Sequence, residues 1–151
     1  HKKEVKMLNK MATLLKSGIK KLKSLPSKNK ELLSVINLCE YILCCVTTVI
    51  NVKNFYEQRV SLKLCDNPDK MLEICAKIKK IAKNEIANAE KSIKFLRKDS
   101  ALGFEPAQGY IGGEARVLWK IKQVNYMINS EVGYYENQVK THKERFKKEN
   151  I

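Results

Sequence analysis

The side chains with the greatest potential for chemistry are concentrated in one stretch, residues 99–113. This 99–113 segment contains two carboxylates, Asp99 and Glu105, and two aromatic residues, Phe104 and Tyr110. A pair of carboxyl groups could act as general acid and base on a glycosidic bond, and aromatic rings could stack against a ligand. Spacing along the sequence does not fix the distance between the two carboxyl groups, so paired-acid chemistry is one alternative among several.

Nucleophilic, metal-dependent and cofactor-dependent chemistry are all disfavoured. A serine or cysteine nucleophile needs a neighbouring base, yet the two histidines, His1 and His142, stand near the ends of the chain. The sequence has no Cys-x-x-Cys pair for zinc and no Glu-x-x-His pair for a di-iron centre. We therefore predict no self-contained catalytic set, no metal site and no cofactor.

Two interpretations of the 99–113 segment stand side by side. The first is structural packing by apolar side chains of the segment and of the helix after it: Leu102, Phe104 and Trp119. The second is contact with a ligand or another domain through three other side chains: Asp99, Glu105 and Tyr110. Ordered loops of this length often carry function. The helical spacing of Trp119 with Ala115 favours a core position for the indole ring.

The rest of the chain has the periodicity of helices. Apolar residues recur every three or four positions in about 4–24, 28–64 and 69–98, and again from Gly112-Gly113 onward. Pro26 ends the first helix, Ser27 is expected to cap the second, and Pro68 begins the third. These features predict an all-α, up-and-down four-helix bundle of long antiparallel helices, with one long loop before the last helix.

The second predicted helix is unusually apolar. Residues 32–50 are nearly apolar on all sides, and a membrane span needs about 20 such residues. Asn37 and Glu40 interrupt this run, and a charge at the centre of a bilayer costs several kcal/mol. We therefore interpret the helix as the central helix of the bundle and expect no membrane partner. Glu40 is a candidate buried acid, although such a group more often reaches water or pairs with a lysine from a neighbouring helix.

The net charge of +14 is concentrated at the start of the chain, where residues 1–31 contain ten lysines and two glutamates. Such a region could bind nucleic acid or an anionic protein. A solvated lysine-rich helix face is the preferred interpretation, because charged faces most often simply contact water. Lysine greatly outnumbers arginine, the residue that best reads bases and grips phosphates. Nucleic acid is therefore the less favoured partner.

The cysteines and the length bear on compartment and domain organisation. Four of the five cysteines lie in apolar helical runs, where a thiol acts as a small apolar group: Cys39, Cys44, Cys45 and Cys75. Unpaired, buried thiols favour a reducing compartment such as the cytoplasm. The 151 residues are the size of one domain. Because the sequence begins with histidine rather than methionine, we expect residues 1–151 to form a single domain that is a piece of a larger chain.

The region around the 99–113 segment also resembles a known family. The residues that carry the resemblance are Asp99-Ser100-x-Leu102-Gly103-x-Glu105-Pro106, Tyr110 and Leu118-Trp119-Lys120-Ile121. They resemble a stretch near the C-terminus of large bacterial glycoside-hydrolase-like proteins, in which a helical domain follows a sugar-processing catalytic region. That stretch reads Asp-Ser-Arg-Leu-Gly-Trp-Glu-Pro-Ser-Met-Glu-Tyr in the family. The likeness extends over about residues 30–130.

Three of the positions at which the chain departs from the family pattern bear on function. Ala101 stands where the family has arginine, Phe104 where it has tryptophan, and Gly109 where it has a second glutamate. The resemblance implies an accessory helical domain that contacts the catalytic domain of the same parent chain or a carbohydrate. Because the arginine and the second acid are missing, it implies a contact segment rather than an active site.

Overall fold

The structure, a computed structural model, describes residues 1–26, 29–105 and 110–149, with the backbone alone at 104–105, 110–111 and 145–149. It is built from long helices: α1 (Lys2–Lys23), α2 (Lys30–Lys63), α3 (Pro68–Leu96), α4 (Glu114–Tyr126) and α5 (Gly133–Glu149). A π-helical stretch, Met127–Val132, joins α4 to α5, so that these three form one continuous fourth helix. The prediction of an all-α four-helix bundle is confirmed.

Cross-helix contacts show that successive helices run in opposite directions. The end of α1 meets the start of α2, where Lys23 pairs with Glu40. Farther along α2, Lys53 pairs with Glu4 at the start of α1. The end of α3 likewise meets the start of α4. Because α2 packs against both α1 and α3, and α3 also packs against the fourth helix, α2 and α3 form the central pair.

The helix ends follow side-chain capping. Asn29 caps α2, since its side-chain oxygen accepts a hydrogen bond from the backbone N–H of Leu32 at 2.9 Å. The prediction that Ser27 fills this role is wrong, because the helix begins three residues later, and Ser27 itself lies outside the described residues. Asn67 caps α3 in the same way, and Pro68 is the first residue of that helix, as predicted.

The core lies along the contacts of α2 with its neighbours. One apolar cluster joins α1 to α2: Ala12, Ile19, Leu43 and Val46. In the described part of the chain, α2 is also the one helix long and apolar enough to cross a membrane by length and composition, a test that core helices of soluble proteins pass as well. Its residue Glu40 pairs with Lys23 of α1 and Lys91 of α3, which confirms one of the alternatives given for this acid.

The four cysteines of the apolar helical runs differ in burial. Cys44 and Cys75 are buried as predicted, and burial raises the pKa of both thiols above the ordinary value. Cys39 is half-buried, whereas Cys45 is exposed, so the expectation of a buried Cys45 is wrong. Successive residues of an α-helix point about 100° apart, and Cys44 occupies the inward direction at this turn of α2.

Candidate functional site

An ion pair closes the base of the 99–113 segment. Arg97 follows the last residue of α3, and Glu114 is the first residue of α4. The Arg97 guanidinium donates two hydrogen bonds to the Glu114 carboxylate, from Nε at 2.9 Å and from Nη2 at 2.5 Å. The hydrogen bonds from Arg97 lower the pKa of Glu114 and raise the pKa of Arg97. This bidentate contact links the end of α3 to the start of α4.

Inside the segment, a short hairpin begins beside Tyr41 of α2. Strands β1 (Phe104–Glu105) and β2 (Tyr110–Ile111) pair in antiparallel register. Next to them, the Gly112 N–H donates to the Gly103 carbonyl at 2.8 Å. Gly103 has a φ of +79°, and a Cβ atom there would lie 3.0 Å from both the Gly112 oxygen and the Tyr41 hydroxyl of α2. The backbone therefore needs glycine at position 103.

Asp99 shapes the start of the segment. Its backbone N–H donates to the Phe95 carbonyl at 3.2 Å, and its Oδ1 accepts the N–H of Ala101 at 3.0 Å. These bonds form the turn that leads out of α3. Asp99 also lines an open pocket beside the ends of α1 and α3. The residue therefore has a structural role and lies on a surface that a ligand could reach.

The other predicted contact residues are only partly described. Glu105 and Tyr110 lie opposite each other in the hairpin, which brings their backbones together. Their side chains, and that of Phe104, lie outside what the structure describes. Leu102 is half-buried. The structure therefore pairs Glu105 with Tyr110 through the backbone and places Asp99 outside the hairpin.

The predicted core position of Trp119 is wrong, because its side chain is 59% exposed. Trp119 shares a helical face with Ala115, as the spacing predicts. That face is the outer face of α4, where Ala115 is exposed as well. The side of α4 that packs on α3 carries Val117 and Val124 instead. Tyr126, seven residues after Trp119, is 62% exposed. We call Trp119 and Tyr126 the outer aromatic face.

A buried polar network, which sequence reasoning missed, joins three helices beside this region. The Glu85 carboxylate of α3 is only 7% exposed. One oxygen accepts from Thr48 Oγ1 at 2.7 Å and from Lys120 Nζ at 2.5 Å, and the other accepts from Asn51 Nδ2 at 2.7 Å. Asn88 extends the network by donating to Thr48 Oγ1 at 3.0 Å. We call this set the Glu85 network.

The Glu85 network is structural in character. Each carboxylate oxygen has a donor, and such satisfied polar groups fix how helices pack. One signal for it was present in the sequence, since Glu85 follows Ala82 by three residues and precedes Ala89 by four on the apolar side of α3. Its partner Lys120, from the motif Trp119-Lys120-Ile121, comes from a distant helix. Periodicity alone does not reveal that pairing.

The described residues contain no cluster of three or more His, Cys, Asp or Glu side chains able to hold a metal ion. Comparison of the chain with protein-family models, with curated proteins and with solved structures gave no match.

Proposed function

We propose that the chain is a non-catalytic helical domain of a bacterial glycoside-hydrolase-like protein. In this proposal the 99–113 segment and the outer aromatic face contact the catalytic domain of the same parent chain or a carbohydrate. The proposal rests on one observation. Trp119 is exposed on α4, the helix that follows the 99–113 segment, and the Arg97–Glu114 pair joins the two ends of that segment. The resemblance of this region to that family supplies the class of protein.

The outer aromatic face has the composition of a contact surface. Tryptophan and tyrosine dominate the energetics of interfaces because each ring buries a large area at a small cost in side-chain entropy. Trp119 and Tyr126 lie seven residues apart on one face of a helical run. The Arg97–Glu114 pair and the Gly103 contacts join the two ends of the adjoining segment. A preorganised surface loses less entropy when a partner binds.

The described carboxylates near the segment are unsuited to acid–base catalysis. A general acid at neutral pH needs a raised pKa. The pKa of Glu114 is instead lowered by its hydrogen bonds from Arg97. Glu85 already has a donor on each oxygen, and Asp99 Oδ1 holds the N–H of Ala101. These engagements support a contact role for the region.

Two measurements test the proposal. The isolated chain should not hydrolyse a panel of aryl glycosides, and release of the aryl group would overturn the non-catalytic part. Trp119→Ala should abolish binding on a glycan array or, in the full parent chain, increase hydrogen exchange along α4. Tyr56→Ala is the matched control, because Tyr56 is 60% exposed on α2. If Trp119→Ala changes neither readout, or if Tyr56→Ala has an equal effect, the outer aromatic face is not the contact surface.

The alternative is a basic bundle that binds nucleic acid or an anionic protein through α1. The observation in its favour is that every lysine of α1 is exposed. The affinity of such a contact falls steeply as salt concentration rises, because bound counterions are released. Fluorescence anisotropy with a labelled oligonucleotide at two salt concentrations distinguishes the alternatives. An accessory domain of a hydrolase should bind weakly at both.

A further inference from the structure

A pocket of about 490 Å³ opens at one end of the bundle, where α1 ends, α2 begins and α3 ends. This is within the size range of small-molecule sites. Four lysines from the three helices line it: Lys23, Lys30, Lys94 and Lys98. We call it the lysine pocket. Asp99 of the 99–113 segment lines this pocket too, but none of its residues belongs to the outer aromatic face, so the inference below shares only Asp99 with the proposed function.

The lysine pocket contains a buried hydrogen-bond acceptor without a donor. Asn37 lines the pocket, is 8% exposed, and donates from Nδ2 to the Phe95 carbonyl at 3.1 Å. The Phe95 carbonyl oxygen can only accept a hydrogen bond, so the amide atom of Asn37 that faces it must be the donor Nδ2. The other amide atom, Oδ1, is buried and has no hydrogen-bond partner. Buried polar atoms are nearly always hydrogen-bonded, so an unpaired acceptor on a residue that lines a pocket indicates that a ligand supplies the donor.

The side-chain amide of Asn37 is not needed to satisfy the backbone. The Phe95 carbonyl also accepts the N–H groups of Lys98 and Asp99, each at 3.2 Å. An apolar side chain at position 37 would therefore leave that carbonyl bonded and would remove the unpaired oxygen. The unpaired oxygen of Asn37 therefore costs stability without serving the fold, which favours a role in binding.

The charges around the pocket favour an anion. Glu40 lines the pocket but is held by Lys23 at 2.5 Å and by Lys91 at 3.3 Å. In the described part of the chain, no carboxylate lies within ion-pair distance of the remaining lysines of the pocket: Lys30, Lys94 and Lys98. Asp99, with one oxygen on the Ala101 N–H, provides a second acceptor at the rim.

We propose that the lysine pocket binds a small sugar that carries an anionic group, either a phosphate or a carboxylate. The anionic group contacts Lys30, Lys94 and Lys98, as charge-assisted hydrogen bonds favour. A sugar hydroxyl, which is a donor, satisfies Asn37 Oδ1, and another reaches the Asp99 carboxylate. The combination of uncompensated cations with unfilled acceptors distinguishes this ligand from a simple anion and from a neutral sugar.

Isothermal titration calorimetry with the whole chain tests the proposal. The probes are hexose 6-phosphates of the gluco, manno and galacto series, the corresponding uronic acids, glucose and inorganic phosphate. We expect at least one anionic sugar to bind about tenfold or more tightly than glucose and phosphate. A preference for phosphates or for uronic acids identifies the anionic group. Equal binding of inorganic phosphate, or binding of no anionic sugar, overturns the proposal.

Variants separate the specific site from general attraction to a basic protein. Asn37→Leu should weaken binding of the best sugar about tenfold or more while leaving the melting temperature the same or higher. The double variant Lys94→Gln/Lys98→Gln should weaken binding of the same sugar to a similar extent. The double variant Lys6→Gln/Lys10→Gln is the control, because it removes the same charge from α1, and it should not weaken binding. Asn37→Ser is the second variant if Asn37→Leu fails to fold. Wild-type affinity in the Asn37 variants, or an equal loss in the α1 control, contradicts the site.

Discussion

Lys120 donates a hydrogen bond of 2.5 Å to Glu85, and this contact joins the fourth helix to α3 at the level where α2 reaches the same carboxylate. The lysine of the Trp119-Lys120-Ile121 motif therefore points inward, while the tryptophan beside it points outward. Lys120 and Trp119, although neighbours in one motif, therefore have different roles. Lys120 orders the helices, and Trp119 remains available to a partner.

Removing Glu85 should destabilise the fold. Glu85→Ala leaves the donors of Thr48, Asn51 and Lys120 without their shared acceptor, and breaking a buried charged network typically costs about 3 kcal/mol. Lys120→Met should cost about 1 kcal/mol, because the lysine side chain is 37% exposed and its interaction is screened. Urea denaturation followed by circular dichroism measures both free energies of unfolding. Glu90→Ala, at an exposed position of α3, is the control, and an equal effect of both glutamate changes would falsify this role.

Gly103→Ala should disturb the 99–113 segment selectively. An L-residue with positive φ costs about 1–2 kcal/mol, and the new methyl group would approach the Gly112 oxygen to 3.0 Å. Hydrogen exchange of the Gly112 amide, which donates to Gly103, should accelerate. Gly113→Ala is the matched control, since a Cβ there meets nothing within 4 Å. Identical exchange in both variants would show that the tight contact at Gly103 does not hold the segment.

The stability of the bundle should depend on pH through Glu40. Partial burial is the largest single influence and raises the pKa of Glu40, but the hydrogen bonds from Lys23 and Lys91 outweigh it and lower the pKa below 4.5. A lowered folded-state pKa contributes stability that is present above the unfolded pKa and is lost as pH falls through the folded value. Glu40→Gln should therefore flatten the decline in unfolding free energy below about pH 4.5. A decline as steep as that of the wild type argues against these ion pairs.

Thiol reactivity should follow burial. Burial raises the pKa of Cys44, Cys45 and Cys75 alike, so access of the reagent to the sulfur, rather than the thiolate fraction, should separate these thiols. With iodoacetamide at pH 8, the buried Cys44 and Cys75 should remain unmodified in the folded protein, whereas the exposed Cys45 should react. Peptide mass spectrometry after timed quenching identifies each site, and denatured protein serves as the control in which all five react. Early modification of Cys75 would mean that α3 opens locally.

The sequence predicted the helices well because apolar periodicity, proline and glycine act locally. The pairing of Glu40 with neighbouring lysines also followed from the cost of a buried charge. Trp119 was misplaced because periodicity identifies residues that share a face without showing which face is covered. The lysine pocket escaped prediction because its parts come from the ends of three helices, and only the packing of those helices brings Asn37 beneath Lys94 and Lys98.

The antiparallel arrangement places the lysine pocket and the 99–113 segment at one end of the bundle and the turn between α2 and α3 at the other. Cys65 lies half-buried in that distant turn, with Sγ 3.5 Å from the Asn67 carbonyl. A fluorophore attached there, in a background that carries both Cys39→Ser and Cys45→Ser, would sit far from both proposed contact regions. The protein thus contains a natural attachment point for a reporter, from which binding at the opposite end can be followed without altering the surface that binds.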